Sequence, residues 1–258
     1  MKRLMTSYHW QLEAPINSVI FDCDGTLSIL EGIDELAKKN GVGTEVKSLT
    51  AQAMGQTGLN PELYEHRLNL VKPTREQVLA QGMEYFTCAV PDAERVIQLF
   101  QRLHKTIYII SAGLYPAVLA FGELLGVPRK NIFAVPVEFD EHGEFVKYDH
   151  NSPLVHRDGK RVILNTIKNE HPEEMIYIGD GLNDYEVYHM VKRFVGYGGI
   201  FYHENLAQKC QYYIQTKSMS ALIPLALTLA ESESLTPEDR ELYDKGLETI
   251  LNGDVIIK

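Results

Sequence analysis

Apolar and polar positions fall into two rhythms along the chain. Residues 16–22, INSVIFD, run apolar and β-branched into turn residues, which is the pattern of a short buried strand. From residue 31 to residue 86 the spacing is helical. EGIDELAKKNG closes on Gly41, a residue type suited to a helix C-cap. TEVKSLTAQAMG opens at Thr44 and carries Val46, Leu49 and Ala53 at helical intervals. NPELYEHRLNLVK places Asn60 at the N-cap with Pro61 at the first helical position. TREQVLAQGMEYF starts with the capping-box pair Thr74 and Gln77. Four short helices with no strand between them predict a small helical insert.

After Pro91 strands and helices alternate. Residues 92–104 read as an amphipathic helix with Val96, Leu99, Phe100 and Leu103 inward. TIYIIS is a buried strand, residues 114–125 a helix stopped by GVP, and NIFAVPVEFDEHGEFVKYD a strand followed by a hairpin turning at Glu141, His142 and Gly143. Helices are predicted over residues 160–168, 182–191 and 218–229, and strands at MIYIGD, RFVGYG and CQYYIQ. Such alternation predicts an α/β protein with an open, doubly wound, mostly parallel, Rossmann-like sheet and a small helical cap inserted after the first strand. On this reading residues 14–32 and 91–228 form the core, 33–90 the cap, and 229–258 an acidic tail, helical from Thr236.

Composition narrows the function classes. The 258 residues carry a formal net charge of -10, which disfavours binding to nucleic-acid backbones. Three cysteines without a CxxC pair fit a reducing cytoplasm better than a disulfide framework, and Cys23 reads as a small core hydrophobe. The first fifteen residues lack the apolar stretch of a signal peptide, and the longest apolar run, ALIPLALTLA, is about half of the ~20 residues that a membrane span needs. The nine histidines are scattered and none reads as a ligand.

In open parallel sheets ligands sit at the carboxyl ends of the strands. The first strand delivers Asp22 and Asp24 there, on one side because they are two residues apart. TIYIIS delivers Ser111, then Ala112 and Gly113; MIYIGD delivers Asp180, then Gly181, Asn183 and Asp184; Lys160 opens a helix. Clustered carboxylates repel unless a cation holds them, and oxygen ligands without histidine or cysteine point to Mg²⁺. Lys160 would neutralise phosphate charge, while Ser111 and the free amides at the following helix start would bind phosphate oxygens. The set supports phosphoryl transfer through an aspartyl-phosphate, with Asp24 moving protons to the leaving oxygen and from water.

DCDGT at residues 22–26, Ser111 ending an apolar strand, Lys160 and GDGLND at residues 179–184 resemble, in order and spacing, the four motifs of the haloacid dehalogenase superfamily of phosphatases. EGIDELAKKNG, AQAMG, RLNLVKP and FVGYGG are similar to its phosphoserine phosphatase-like branch. The resemblance implies Asp22 as nucleophile and Asp24 as acid and base. It implies Mg²⁺ on Asp22, the Asp24 carbonyl and Asp180, with Asp184 orienting the metal's water shell. Ser111, Ala112 and Lys160 would meet the phosphate, with Gly113, Gly181 and Asn183 organising that site. Glu31 and Arg67 would read a substrate's amino and carboxylate groups, with Met54 beside them. The cap implies a small phosphorylated substrate, O-phosphoserine first, as in serine biosynthesis, handled by a monomer or homodimer.

Two positions depart from the family pattern. An aromatic residue usually follows the cap's Met-Gly within a few positions, yet here Leu59, Asn60 and Pro61 precede Tyr64. The second motif reads Ser-Ala-Gly in place of Ser-Gly-Gly. A different small phosphate ester, and a non-catalytic binding protein on the same fold, stay open beside the phosphoserine reading.

Overall fold

The computed structural model describes residues 8–54 and 59–258, apart from the side chains of Ala53 and Met54. The first strand, β1 (Ser18–Phe21), is buried along its whole length, because layers cover both faces of the sheet at its centre. Four helices follow: α1 (Gly32–Lys39), α2 (Gly43–Met54), α3 (Pro61–Val71) and α4 (Arg75–Thr87). The predicted starts of α3 and α4 are realised in detail. The Asn60 side chain accepts from the Leu63 amide, and Thr74 and Gln77 close a reciprocal capping box. Gly41 sits at φ +76°, a conformation that suits glycine where α1 stops.

The chain returns through α5 (Ala93–Arg102) to β2 (Thr106–Leu114), α6 (Tyr115–Leu124) and β3 (Ile132–Val135). The hairpin of β4 (Val137–Phe139) and β5 (Phe145–Tyr148) turns with Gly143 at φ +84°. Then come α7 (Gly159–Glu170), β6 (Met175–Gly179), α8 (Leu182–Tyr185), β7 (Arg193–Tyr197), α9 (Glu204–Lys209) and β8 (Tyr212–Ile214). Three more helices, α10 (Leu222–Ala226), α11 (Leu229–Glu233) and α12 (Pro237–Leu251), lead to β9 (Val255–Ile257). The main sheet has the order β3-β2-β1-β6-β7-β8-β9, parallel throughout except for the last pair. β1 is the third of the seven strands, with Ser18–Phe21 in register against Thr106–Ile109 on one side and Met175–Ile178 on the other. This is the expected open α/β architecture, and the polarity of the six parallel strands brings their carboxyl ends to one edge. No described helix is long and apolar enough to cross a membrane.

Several elements differ from the sequence expectation. β2 does not end at Ser111 but continues to Leu114, with a shift of register against β3 between Ile110 and Leu114. The helix expected over residues 182–191 is one turn, α8, followed by tight turns in which Val187 bonds Asp184 and Met190 bonds Val187. The helix expected over residues 218–229 is broken. A tight turn over Met219–Ala221 leads into α10, which stops at the extended Leu227, and Thr228 opens a new helix by a capping box with Glu231. Helix α9 and strand β9 have no counterpart in the sequence reading.

The chain beyond residue 229 is helical from Thr236 as expected, and it is also fastened to the rest. Arg102 on α5 pairs with the buried Asp239 on α12. The Lys105 ammonium, buried, donates to the Ile16 carbonyl at 2.9 Å and to Glu231 at 2.5 Å. Lys245 reaches Asp92 at 2.5 Å. β9 then pairs antiparallel with β8, Val255 opposite Ile214.

Candidate active site

The turn after β1 is built around one carboxylate of another strand. Gly25 sits at φ +67°, and a Cβ there would stand 2.3 Å from Asp180 Oδ2, so this position requires glycine on two counts. Thr26 next donates its hydroxyl to Asp180 Oδ1 at 3.3 Å. Asp22, Asp180 and Asp184 are all buried, and each offers an oxygen within 4.8 Å of the others. Lys160, in the first turn of α7, places its buried ammonium 2.6 Å from both Asp22 Oδ1 and Asp184 Oδ1. Asp184 is fixed further by the Tyr177 hydroxyl at 2.8 Å and the Gly181 amide at 3.0 Å.

One ammonium thus faces three buried carboxylates. Burial, then the Asp184 charge, pushes the Asp22 carboxyl up to about 8 against the pull of Lys160. Burial and the charges of Asp22 and Asp184 raise Asp180 as well. Burial alone would lower Lys160, yet Asp184 and Asp22 more than offset it and hold the lysine above its ordinary value. The excess negative charge and the all-oxygen donor set are what a hard divalent cation neutralises, so these residues fit one.

Asp24 lies beside this cluster and faces the helical insert. Its Oδ1 accepts from the Gly32 amide at 2.6 Å and from the Tyr85 hydroxyl at 2.7 Å, and its Oδ2 from Ser111 Oγ at 3.4 Å. Burial raises the Asp24 pKa, while the bonds from Tyr85 and Gly32 pull it back. Ser111 is fully buried, and its Oγ also accepts from the Gly113 amide at 2.9 Å. That amide is thereby engaged within the loop. The hydroxyl expected to meet phosphate likewise sits behind Asp24.

The cavity runs from these residues into the insert, lined there by Glu31, Thr50, Leu59, Tyr64, Arg67 and Gln81. Among the described residues, Glu31 Oε1 and Arg67 Nε are buried without a hydrogen-bond partner. Burial, with Asp24 and Asp180 nearby, raises the Glu31 carboxyl well above its usual value, and burial lowers Arg67. Arg67 is braced by Thr50 Oγ1 at 3.5 Å, which itself donates to Asp34 at 2.6 Å, and its guanidinium lies 5.6 Å from the Tyr64 ring centre. Tyr64 donates to the Ala112 carbonyl at 3.0 Å, so an aromatic ring does line the cavity, from the first turn of α3. The pocket role expected of the Met54 side chain lies outside the described residues.

Ala112, Gly113, Gly181 and Asn183 also line the cavity, and a Cβ on Gly181 would meet Asn183 Oδ1 at 2.3 Å. Cys23, between the two aspartates, is fully buried in the core as expected. Sequence reasoning missed Tyr85, Gln81, Tyr177 and Arg157. Tyr85 and Gln81 follow one another at one helical turn in α4, a signal that reads equally as a core stripe. Gln81 donates to the Gly32 carbonyl at 2.6 Å, so both residues grip the segment that holds Asp24.

A model of the haloacid dehalogenase-like hydrolase family matches residues 16–187. The chain is 32% identical over 198 residues to the phosphoserine phosphatase of Drosophila melanogaster, spanning 76% of this chain and 73% of that one. It is 31% identical over 199 residues to the phosphoserine phosphatase of Homo sapiens, spanning 77% of this chain and 88% of that one. Among solved structures, a phosphoserine phosphohydrolase-like protein from Francisella tularensis superposes with a TM-score of 0.72 at 24% identity, over 81% of this chain and 100% of that one. A phospho-aspartyl intermediate analogue of phosphoserine phosphatase superposes with a TM-score of 0.70 at 22% identity, over 81% and 98%. Those two structures share the fold.

Proposed function

The chain belongs to the haloacid dehalogenase-like hydrolase family and is a phosphoric monoester hydrolase, and we propose that O-phosphoserine is its substrate and Asp22 its nucleophile. The observation that carries the substrate is a pair of buried atoms without partners among the described residues, Glu31 Oε1 and Arg67 Nε, in the cavity that also holds Asp22 and Lys160. Leaving such groups unsatisfied is costly, so a ligand that completes them is favoured. An amino acid brings an ammonium for Glu31 and a planar carboxylate for the Arg67 fork.

In the first step an Asp22 oxygen attacks phosphorus and the bond from phosphorus to the serine oxygen breaks. Asp24, held by Gly32, Tyr85 and Ser111, gives its proton to the departing oxygen. Water then attacks the aspartyl-phosphate at phosphorus, Asp24 takes the water's proton, and phosphate leaves with the Asp22 carboxylate regenerated. Lys160 keeps the Asp22 carboxylate oriented through its 2.6 Å contact and balances charge on the transferred group. Mg²⁺ held by Asp22, Asp180 and the Asp24 carbonyl, with Asp184 behind, would supply further positive charge against the phosphoryl oxygens and favour ionised Asp22.

The test is hydrolysis of phosphoserine in the presence of Mg²⁺, beside p-nitrophenyl phosphate, for the natural chain and Asp22→Asn. Turnover should favour phosphoserine and vanish in the variant; an active Asp22→Asn protein would overturn the covalent route. A second reading, another small phosphate ester, is favoured by the aliphatic Leu59 in the cavity wall. It would be preferred if kcat/KM for phosphoserine did not exceed that for the generic ester.

A further inference from the structure

Arg157 lines the catalytic cavity, and neither the sequence motifs nor the steps above give it work. It stands in the turn three residues before Lys160, and its Nε donates to Glu186 Oε1 at 2.9 Å. Glu186 follows Asp184 by two residues. The pair therefore joins the two segments that carry Lys160 and Asp184.

We propose that Arg157 is a second phosphate-binding cation, which exchanges Glu186 for the phosphoryl oxygens when the ester enters. This rests on the phosphomonoesterase reading and extends it to a residue outside the family's motifs. Three cations line the cavity among the described residues, and they are not equivalent. The Lys160 ammonium is buried and already shared between Asp22 and Asp184. Arg67 is committed to the insert end, beside Thr50 and Tyr64. Arg157 is half exposed, at 49% of its side chain, and its partner Glu186 is at 32%. An ion pair that open to water contributes little, so releasing it costs little. A phosphate dianion offers the guanidinium two parallel acceptors and more charge than one carboxylate. The exchange also answers an electrostatic problem. Asp22, Asp24, Glu31 and Asp180 make the lining rich in carboxyl groups, and a half-exposed guanidinium at its rim adds attraction for an incoming dianion.

The test measures Arg157→Gln, Arg157→Lys and Glu186→Gln with three probes: phosphoserine, p-nitrophenyl phosphate, and inorganic phosphate as a product inhibitor. Arg157→Gln should raise KM for both esters and Ki for phosphate by the same factor, about tenfold, with kcat nearly unchanged. Arg157→Lys should recover part of the loss, and Glu186→Gln should lower Ki for phosphate. The equal factor for the two esters marks a contact to the phosphoryl group, because p-nitrophenyl phosphate has no amino-acid end. Unchanged KM and Ki in Arg157→Gln would overturn the proposal. So would a drop in kcat and melting temperature at constant KM, since the ion pair would then only brace its two loops. Failure of the natural chain to hydrolyse either ester would instead remove the phosphomonoesterase reading itself.

Discussion

Tyr85 of helix α4 donates its phenol to Asp24 Oδ1 at 2.7 Å, across 61 positions of sequence. The ring is buried, stacked 5.5 Å from Phe121 on α6, so the contact is held from both the insert and the core. Asp24 needs a single orientation to pass a proton in each direction, and Tyr85 supplies it together with Gly32. Tyr85→Phe should keep the fold, cost about 1 kcal/mol in stability and lower kcat about tenfold. Because the phenol favours the ionised carboxylate, its loss raises the Asp24 pKa and moves the alkaline limb of kcat/KM to higher pH. An unchanged pH profile and rate would leave Tyr85 as a packing residue alone.

Two buried atoms left unsatisfied among the described residues, Glu31 Oε1 and Arg67 Nε, predict a split between substrates. Glu31→Gln and Arg67→Ala should each lower kcat/KM for phosphoserine about 100-fold or more, the worth of a charge-assisted contact in a buried site. The value for p-nitrophenyl phosphate should change about threefold at most, since that ester has no groups for them. Equal losses on the two esters would assign both residues to general architecture.

Lys160 predicts a coupling between stability and cation. Removing one partner of a buried ionic cluster leaves charges unpaired at about 3–5 kcal/mol, so Lys160→Met should melt well below the natural chain and lose turnover. With Asp22, Asp180 and Asp184 left facing one another, Mg²⁺ should restore more melting temperature to the variant than it adds to the natural chain. Thermal melts with and without Mg²⁺ decide this, and equal increments would count against a shared cation.

The same cluster sets a pH dependence for the chelated protein. Asp22 is held up to about 8 when folded, and burial raises Asp180 and Glu31 in the same direction. The folded state keeps protons that the unfolded chain releases at about pH 4, so this contribution to stability is full below that point. It is lost as the pH rises towards 8, so metal-free protein should melt lower at about pH 8 than at about pH 5. Added Mg²⁺ should stabilise most at the upper end, where it replaces the missing protons. A melting temperature that climbs with pH in EDTA would contradict the charge balance described for Asp22 and Lys160.

Much of this was legible in the chain because it is local. Asp22 and Asp24 share a side by strand geometry, Thr74 and Gln77 announce a helix start, and GDGLND follows an apolar strand. The family motifs carry the long-range part, bringing Lys160 and Ser111 near those aspartates. What stayed hidden depends on contacts between distant segments that carry no local mark. Tyr85 and Gln81 share an ordinary helical spacing, and nothing nearby says that they grip Asp24 and Gly32. Ser111 ends an apolar run, yet β2 continues to Leu114 because β3 supplies a partner for it. VII at residues 255–257 is too short to weigh as a strand by pattern, and only β8 beside it makes it one.

That last pairing has a bearing on solubility as well as on architecture. Tyr212, Tyr213 and Ile214 would otherwise present an apolar, hydrogen-bonding border to other molecules. β9 covers it with three residues, bounded by Asp254 and Lys258, and the Lys258 ammonium is itself tied to the carbonyls of Ala207 at 2.8 Å and Gln208 at 2.6 Å. A border this short, flanked by charged residues, offers little for another molecule to pair with. Clipping after Gly253 should therefore first be seen in light scattering, as growth of particles, before the catalytic edge three strands away is disturbed.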